Sequence, residues 1–463
     1  MLLDFFKKFI KTKDKSFLHL KLMDLLRKLS RTGLAQWAVC FIVLRSIYKI
    51  SPPSNNPQRV RILVLNHIRF GKDLISLSKD KRFECWVLPF SIQALINSIW
   101  FYDIRSLIAK DRKAFFENQI PEVKKIRHSL HCYLVSLLKK LSPFKKWWHF
   151  DVVMTGGFAY INDKEWETAC GEVGLPFFVI HKESTIDPVI FKEYADLYLD
   201  QKWYTKAKRV LVYNQLSKEL LVAGKICEPS QVEVIGVPRM DEFYHLLQQA
   251  KPQPKKQIVL FSPNFRMGGI YTDKANNGYF DRELGIGFIK YFDILHSAVA
   301  QFALENPDVS VIIKTKWLGD WVEAIRIAVH DRLNIELDSI SNLTVTNEGS
   351  MYELLSNAKV VIGINSTSLL EAKLFGTPVI MPLFAEAVDV YFNSNVYFHR
   401  YFDVFDLVYS SEELQQKLKQ IVNSNQYEQK PMPLSMIQEY LGYFDGKARD
   451  RLYNSMRAVA SAP

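Results

Sequence analysis

Cysteine is scarce and scattered in this chain: five in 463 residues (Cys40, Cys85, Cys132, Cys170 and Cys227), with no CxxC pair. That spacing excludes a disulfide framework and a zinc-ligand set, and it suits a reducing compartment where thiols serve as small core residues. Neither GxxxxGK[ST] nor GxGxxG occurs, so the chain lacks both the P-loop and the dinucleotide fingerprint. The absence of any D-x-D disfavours a metal-dependent sugar-nucleotide site, and no metal ligand set is expected. HExxH and GxSxG are also missing. Repeats and low-complexity tracts are lacking too. Within the N-terminal segment the longest uncharged run, Thr32–Leu44, has 13 residues. A membrane span needs about 20. No small-residue cleavage site follows that run, so a signal peptide is not indicated.

Acidic residues are thinly spread near the start. Residues 1–50 hold eleven Lys/Arg against Asp4, Asp14 and Asp24, a charge of +8 out of a total of +11. The remaining 413 residues carry only +3, which argues against a nucleic-acid-binding body. Leu18, Leu22, Leu25, Leu26 and Leu29 fall on one face of a helical pattern, with Lys21, Arg27, Lys28 and Arg31 mostly off it. Two readings follow: helices packed on the protein's own core, or a basic amphipathic surface lying on the anionic inner leaflet of a membrane.

A hydrophobic content of 48% over 463 residues supplies more than one core, and two domains are expected. After SPPSNNPQ (51–58), short apolar runs recur: RILVLNH, ECWVLPF, DVVMTGGF, PFFVIHKE, RVLVYN and VEVIGVPR. Helical stretches separate most of them, the pattern of a parallel α/β sheet buried on both faces. QQAKPQPKKQ (248–257) reads as a linker. A second series follows: IVLFSPNF, VSVIIKTKW, LTVTNE, VVIGIN and PVIMPLF. The expected organisation is a basic amphipathic segment (1–58), a first α/β domain (59–247), a second α/β domain (258–410), and C-terminal helices packing back across the domains (411–463). The two Rossmann-like domains would face a central cleft.

Chemistry collects at strand ends in such folds. In GINSTSLLEAKLFGTPVIMP (363–382), Asn365 or Ser366 is expected to cap a helix that Gly376 ends. The hydroxyls of Ser366, Thr367 and Ser368 at a helix start are the elements of a phosphate site, and Glu371 could reach a ribose hydroxyl. Lys314 and Lys316 follow one strand and Arg266 another, so the three cations could hold phosphate beside that helix start. VEVIGVPRMDE ends in Arg239 and Asp241, and FFVIHKEST runs straight into His181, Lys182 and Glu183. A strand-end Arg–Asp pair and solvated lysines are the plainer readings of these groups.

The order G-x-P-R-x-D (Gly236–Asp241), LFSPNFR, IIKTK, NSTSLLEAKLFGTPVI, with VIHKE and YLGYFDGKARDR (440–451), resembles bacterial surface-polysaccharide glycosyltransferases of the two-domain GT-B fold. Within that class it is similar to retaining β-Kdo transferases, which use a CMP-activated sugar. A more distant likeness is to CDP-glycerol and CDP-ribitol phosphotransferases. From those the chain departs: Met240 replaces Asn, SPNFR replaces APTWR, KTK replaces a His-Pro pair, and the acceptor-side W-H-G is absent unless His181 substitutes. The resemblance to Kdo transferases implies Glu183 as acid/base and Asp241 as nucleophile, with Arg239 keeping Asp241 ionised. It implies that 59–247 is the acceptor-side domain and 258–410 the nucleotide-sugar-binding domain, with no cofactor beyond the nucleotide-sugar donor as substrate and a glycan or glycolipid acceptor at the cytoplasmic face of the cell membrane. A non-catalytic scaffold of the same fold is the alternative from another class.

Overall fold

The computed structural model describes residues 28, 32–53, 56–102, 104–117, 119–144, 148–182, 186–249, 257–263, 288–389, 393, 396–424 and 427–460. The chain divides into two compact units. The first comprises Met1–Ser184, Lys192–His245 and Gln438–Pro463, and the second Thr185–Phe191 and Leu246–Ile437. The Leu18–Leu29 face lies outside the described residues, apart from Lys28.

The first unit is built on a seven-stranded sheet: β1 (Tyr48–Lys49), β2 (Val60–Val64), β3 (Phe83–Val87), β4 (Val152–Thr155), β5 (Phe177–Ile180), β6 (Arg209–Val212) and β7 (Val232–Val234). Their spatial order is β1-β3-β2-β4-β5-β6-β7. All pairs are parallel except β1, which runs antiparallel along β3 with Tyr48 opposite Val87. Every residue of β4 and β5 is buried, as expected of central strands covered on both faces. The sheet grows one way from β2 to β3 and the other way through β4, so its direction switches between β2 and β4.

The helix Ile161–Glu172 has charged residues facing the interior: Asp163, Lys164, Glu165 and Glu167 are all buried. Each has a partner. Arg127 meets Glu165 at 2.6 Å, and Lys164 donates to Glu167 at 2.8 Å and to the Tyr204 carbonyl at 2.7 Å. Removing one member of such a buried pair costs about 3–5 kcal/mol, because the other is left charged and dry.

The second unit holds β8 (Gln257–Phe261), β9 (Ser310–Lys314), β10 (Leu343–Thr346), β11 (Ala358–Gly363), β12 (Val379–Pro382) and β13 (Asp406–Val408). The order is β10-β9-β8-β11-β12-β13, and every pair is parallel. This is the doubly wound 3-2-1-4-5-6 arrangement, with its switch between β8 and β11. Two Rossmann-like α/β units, as expected of the GT-B class, are therefore present in one chain.

The tail is divided between them. Helix Ser411–Asn423 belongs to the second unit, and helix Ala448–Ala460 belongs to the first. The segment Thr185–Phe191, separated from the end of β5 by four residues of chain, is also part of the second unit.

Candidate functional site

In open α/β sheets, ligands bind outside the carboxyl ends of strands where the winding reverses. The second unit meets that condition between β8 and β11. The register sets Lys314 of β9 beside Phe261 of β8, and Phe261 beside Gly363 of β11. The exits of three strands are thus level with one another. Lys314 is half-buried at this edge. Lys316 lies two residues on, exposed, with its ammonium 5.8 Å from the Trp317 ring centre. Arg266, on the segment following β8, lies outside the described residues.

From β11 the chain turns through Ile364 and Asn365, the latter with φ 51°, into the helix Ser368–Leu374. Thr367 holds the cap position, not Asn365 or Ser366 as expected, and its side chain makes no capping bond. Asn365 instead accepts from the Tyr397 amide at 2.8 Å. The next amide, Phe398 N–H, donates to buried Asp187 at 2.8 Å, so residues 397–398 are pinned from two sides. The Ser366 hydroxyl accepts from its own turn, at Ser368 N, 3.2 Å away. Among the described residues the hydroxyls of Thr367 and Ser368 make no hydrogen bond, and both side chains are half-buried. Glu371 is half-buried in the first turn of the same helix.

One further group supports the β8 exit and carries no motif in the sequence. Ser262 follows β8 directly; its hydroxyl donates to Nε2 of His296 at 2.8 Å and accepts from the Trp321 indole at 2.8 Å. Nδ1 of His296 donates to the Phe292 carbonyl at 2.7 Å, which fixes the neutral tautomer. Burial lowers the His296 pKa to about 4, partly offset by the Phe292 bond.

The remaining expected site residues lie in the first unit. His181 is buried at the end of β5, its ring 4.8 Å from that of Phe158, which also packs on Tyr198 and Trp203. Glu183 lies outside the described residues. Arg239 does not pair with Asp241. Its Nη1 lies 3.3 Å from the carboxylate of Asp73 and 3.3 Å from the Tyr213 hydroxyl, which itself donates to Asp73 at 2.8 Å. Asp73 sits on the helix Gly71–Lys79, so these bonds tie the exits of β6 and β7 to that helix.

Asp241 is only 3% exposed, and both of its oxygens are engaged. Oδ1 accepts from Ala448 N at 3.0 Å, and Oδ2 accepts from Arg449 N at 2.8 Å and Arg449 Nε at 3.4 Å. The carboxylate caps the helix Ala448–Ala460 from across the sequence, at the positive end of its dipole. The expected Arg239–Asp241 pair is therefore corrected: Asp73 takes Arg239, and Arg449 takes Asp241. Two glycines complete this junction. Gly236 (φ 80°) has the Tyr443 carbonyl 3.2 Å from where a Cβ would stand, and Gly442 (φ 72°) lies against the backbone of Tyr213 and Asn214. Asn214 donates to the Tyr440 carbonyl at 2.8 Å. The G-x-P-R-x-D stretch and the 440–451 stretch are thus two halves of one clasp.

At the switch point of the first unit, Asn66 leaves β2 with φ 50°. Below it, Asp163 accepts from Thr155 at 2.6 Å, Gln93 at 2.5 Å and Asn66 at 3.4 Å. Desolvation raises the Asp163 pKa to about 6, against the lowering effect of those three donors. Sequence reading passed over Asp163, since an acid in INDKEWE resembles one on a solvated helix face.

No family profile matches the chain, and no curated protein matches it. Among solved structures, it is similar to a protein named as a UDP-N-acetylglucosamine 2-epimerase from Listeria monocytogenes, at 13% identity and TM-score 0.47 over 86% of this chain and 96% of that one. Acinetobacter baumannii MurG is similar at 11% identity and TM-score 0.41, over 86% and 99% of the two chains. The wall teichoic acid polymerase TagF is similar at 12% identity and TM-score 0.38, over 67% and 73%. At these identities the reading of function rests on this chain's own residues.

Proposed function

We propose that the protein is a glycosyltransferase that takes its sugar from a nucleotide-activated donor, with the donor phosphate held at the switch point of the second unit. The observation that carries this reading is the turn 365–368. It stands where the winding reverses, level with Lys314, and leaves the Thr367 and Ser368 hydroxyls uncommitted among the described residues. Donor hydroxyls and an ammonium at one strand edge suit a leaving phosphate, whose developing charge they would stabilise. Lys316, Glu371 and, from sequence alone, Arg266 are assigned to the same donor site. His181, at the exit of β5, and, from sequence alone, Glu183 are assigned to the acceptor side, Glu183 as the acid/base group. The sequence resemblance puts a CMP-activated ulosonate such as CMP-Kdo first among donors, and a lipid-linked or growing bacterial surface glycan at the cytoplasmic membrane face as acceptor. Asp241 is not carried forward as nucleophile, because it caps a helix.

The test is thermal unfolding of the full chain with CMP, CDP, UDP, GDP and ADP, in wild type and in Thr367→Val/Ser368→Ala. A ligand at 100 times its dissociation constant stabilises the folded state by about 2.7 kcal/mol. Loss of hydrogen bonds to a charged phosphate, about 1.5–3 kcal/mol each, weakens affinity tenfold or more. A CMP-specific shift that the double variant loses supports the proposal. A CDP-specific shift points instead to polyol-phosphate transfer. No shift with any nucleotide overturns the reading in favour of a scaffold protein.

A further inference from the structure

The helix Gly33–Ser46, GLAQWAVCFIVLRS, is apolar over most of its surface, and among the described residues its buried side chains, Gln36, Cys40 and Val43, lie on one side. The Ser136 hydroxyl donates to Gln36 Oε1 at 3.0 Å, which seats the helix on Pro121–Leu141. The opposite side presents Leu34, Trp37, Phe41 and Ile42, with exposures of 86%, 46%, 58% and 36%. Tyr48, two residues past the helix, is also exposed; its ring lies 6.4 Å from that of His67, next in sequence to exposed Ile68. A helix apolar all round is normally buried in protein or lipid.

Two basic side chains stand beside it. Arg45 lies 5.2 Å from the Phe41 ring centre, and Lys140 bonds Ser136, the residue that also holds Gln36. Residues 1–50 carry +8. A second copy of this chain would bring like charge against like charge, whereas an anionic bilayer complements it. At 1.5 Å per residue, 14 residues span about 21 Å, less than the ~30 Å hydrocarbon core. No helix among the described residues is long and apolar enough to cross a membrane.

We infer that the outer face of helix Gly33–Ser46 inserts into the interfacial region of an anionic lipid bilayer, with the helix lying in the membrane plane. The inference deepens the reading that the enzyme works at a membrane surface and is independent of which sugar it transfers. Leu34 and Phe41 are the inserting side chains, and the basic rim meets the headgroups.

The experiment is sedimentation of the full-length protein with vesicles of phosphatidylcholine alone and with about 30 mol% phosphatidylglycerol added, an anionic lipid that makes the surface negative. Wild type, Leu34→Ser/Phe41→Ser and a variant lacking residues 1–31 are compared, with melting temperature and nucleotide-induced shift as folding controls. The expected result is preferential binding of wild type to the anionic vesicles and at least a tenfold loss in Leu34→Ser/Phe41→Ser, with both controls unchanged. If that variant binds as wild type does while the truncation does not, the membrane reading stands and the helix-face inference falls. If wild type binds neither vesicle, both fall. Concentration-dependent dimerisation abolished by the double substitution, without lipid binding, would assign the face to a second copy and overturn the inference.

Discussion

Replacing Asp241 separates its capping role from the nucleophile's role that its motif implied. The carboxylate accepts two backbone amides, at 3.0 and 2.8 Å, and a weaker guanidinium bond at 3.4 Å. A hydrogen bond to a charged group contributes about 1.5–3 kcal/mol, and losing this set leaves a helix N-terminus and Arg449 uncompensated. Asp241→Ala is therefore expected to cost about 3–5 kcal/mol, the range for a buried pair broken from one side. At roughly 2–4 °C per kcal/mol for a unit of this size, melting falls by on the order of 10 °C. Asp241→Asn keeps one acceptor oxygen and turns its amide group toward the second N–H, so about half of that loss is expected. The assay pairs thermal and urea unfolding with turnover on the donor selected by the nucleotide panel, normalised to folded protein. Both variants should lose stability and keep turnover per folded molecule. If Asp241→Asn melts like wild type and turnover drops by the thousandfold or more that loss of a nucleophile brings, the capping argument is wrong.

Gly442→Ala forces a Cβ toward the Tyr213 carbonyl at a φ of 72°, so the same junction should open, seen as a lower melting temperature and faster proteolysis within 438–463. Asp163 has a folded pKa of about 6 against the ordinary carboxyl value of 3.8, so the folded state holds the extra proton in that window. Stability from this group is full below pH 3.8 and is lost as pH rises through 6, by about 3 kcal/mol. The stability difference between wild type and Asp163→Asn should therefore change by that amount between pH 4 and 7; a flat difference would refute it. His296 works the opposite way, with a folded pKa of about 4 against 6.5. Its stabilisation is present above pH 6.5 and is lost as pH falls toward 4, again about 3 kcal/mol. Unfolding followed across that range should show this slope in wild type and not in His296→Gln.

The apolar runs in the sequence correspond to strands β2 to β12, because a parallel strand covered on both faces must be continuously hydrophobic. The two strands not foreseen, Tyr48–Lys49 and Asp406–Val408, are edge strands too short to show a period. Local chemistry was legible where it is local: Gly376 ends the helix Ser368–Leu374, and the Ser366 hydroxyl serves its own turn. What failed was partnership over long separations. Arg239 and Asp241 are two residues apart and read as a pair, yet their partners are Asp73 and Arg449, set by how the sheet and the last helix pack. Likewise nothing in the local pattern of helix Ile161–Glu172 marks its acids as buried, since only the helices and loops packed around it make them so.

The clasp also bears on how the chain leaves the ribosome. Asp241 emerges 207 residues before the Ala448 amide that it holds. At 5–20 residues per second, that interval lasts on the order of 10–40 s. Meanwhile every segment of the second unit, including Thr185–Phe191, has been synthesised before Gln438 appears. The second unit can therefore mature first, while the first waits with the seat for Leu452, Met456 and Val459 uncovered. Nascent chains stalled before residue 438 should bind holdase chaperones through the first unit, and extension past residue 460 should release them.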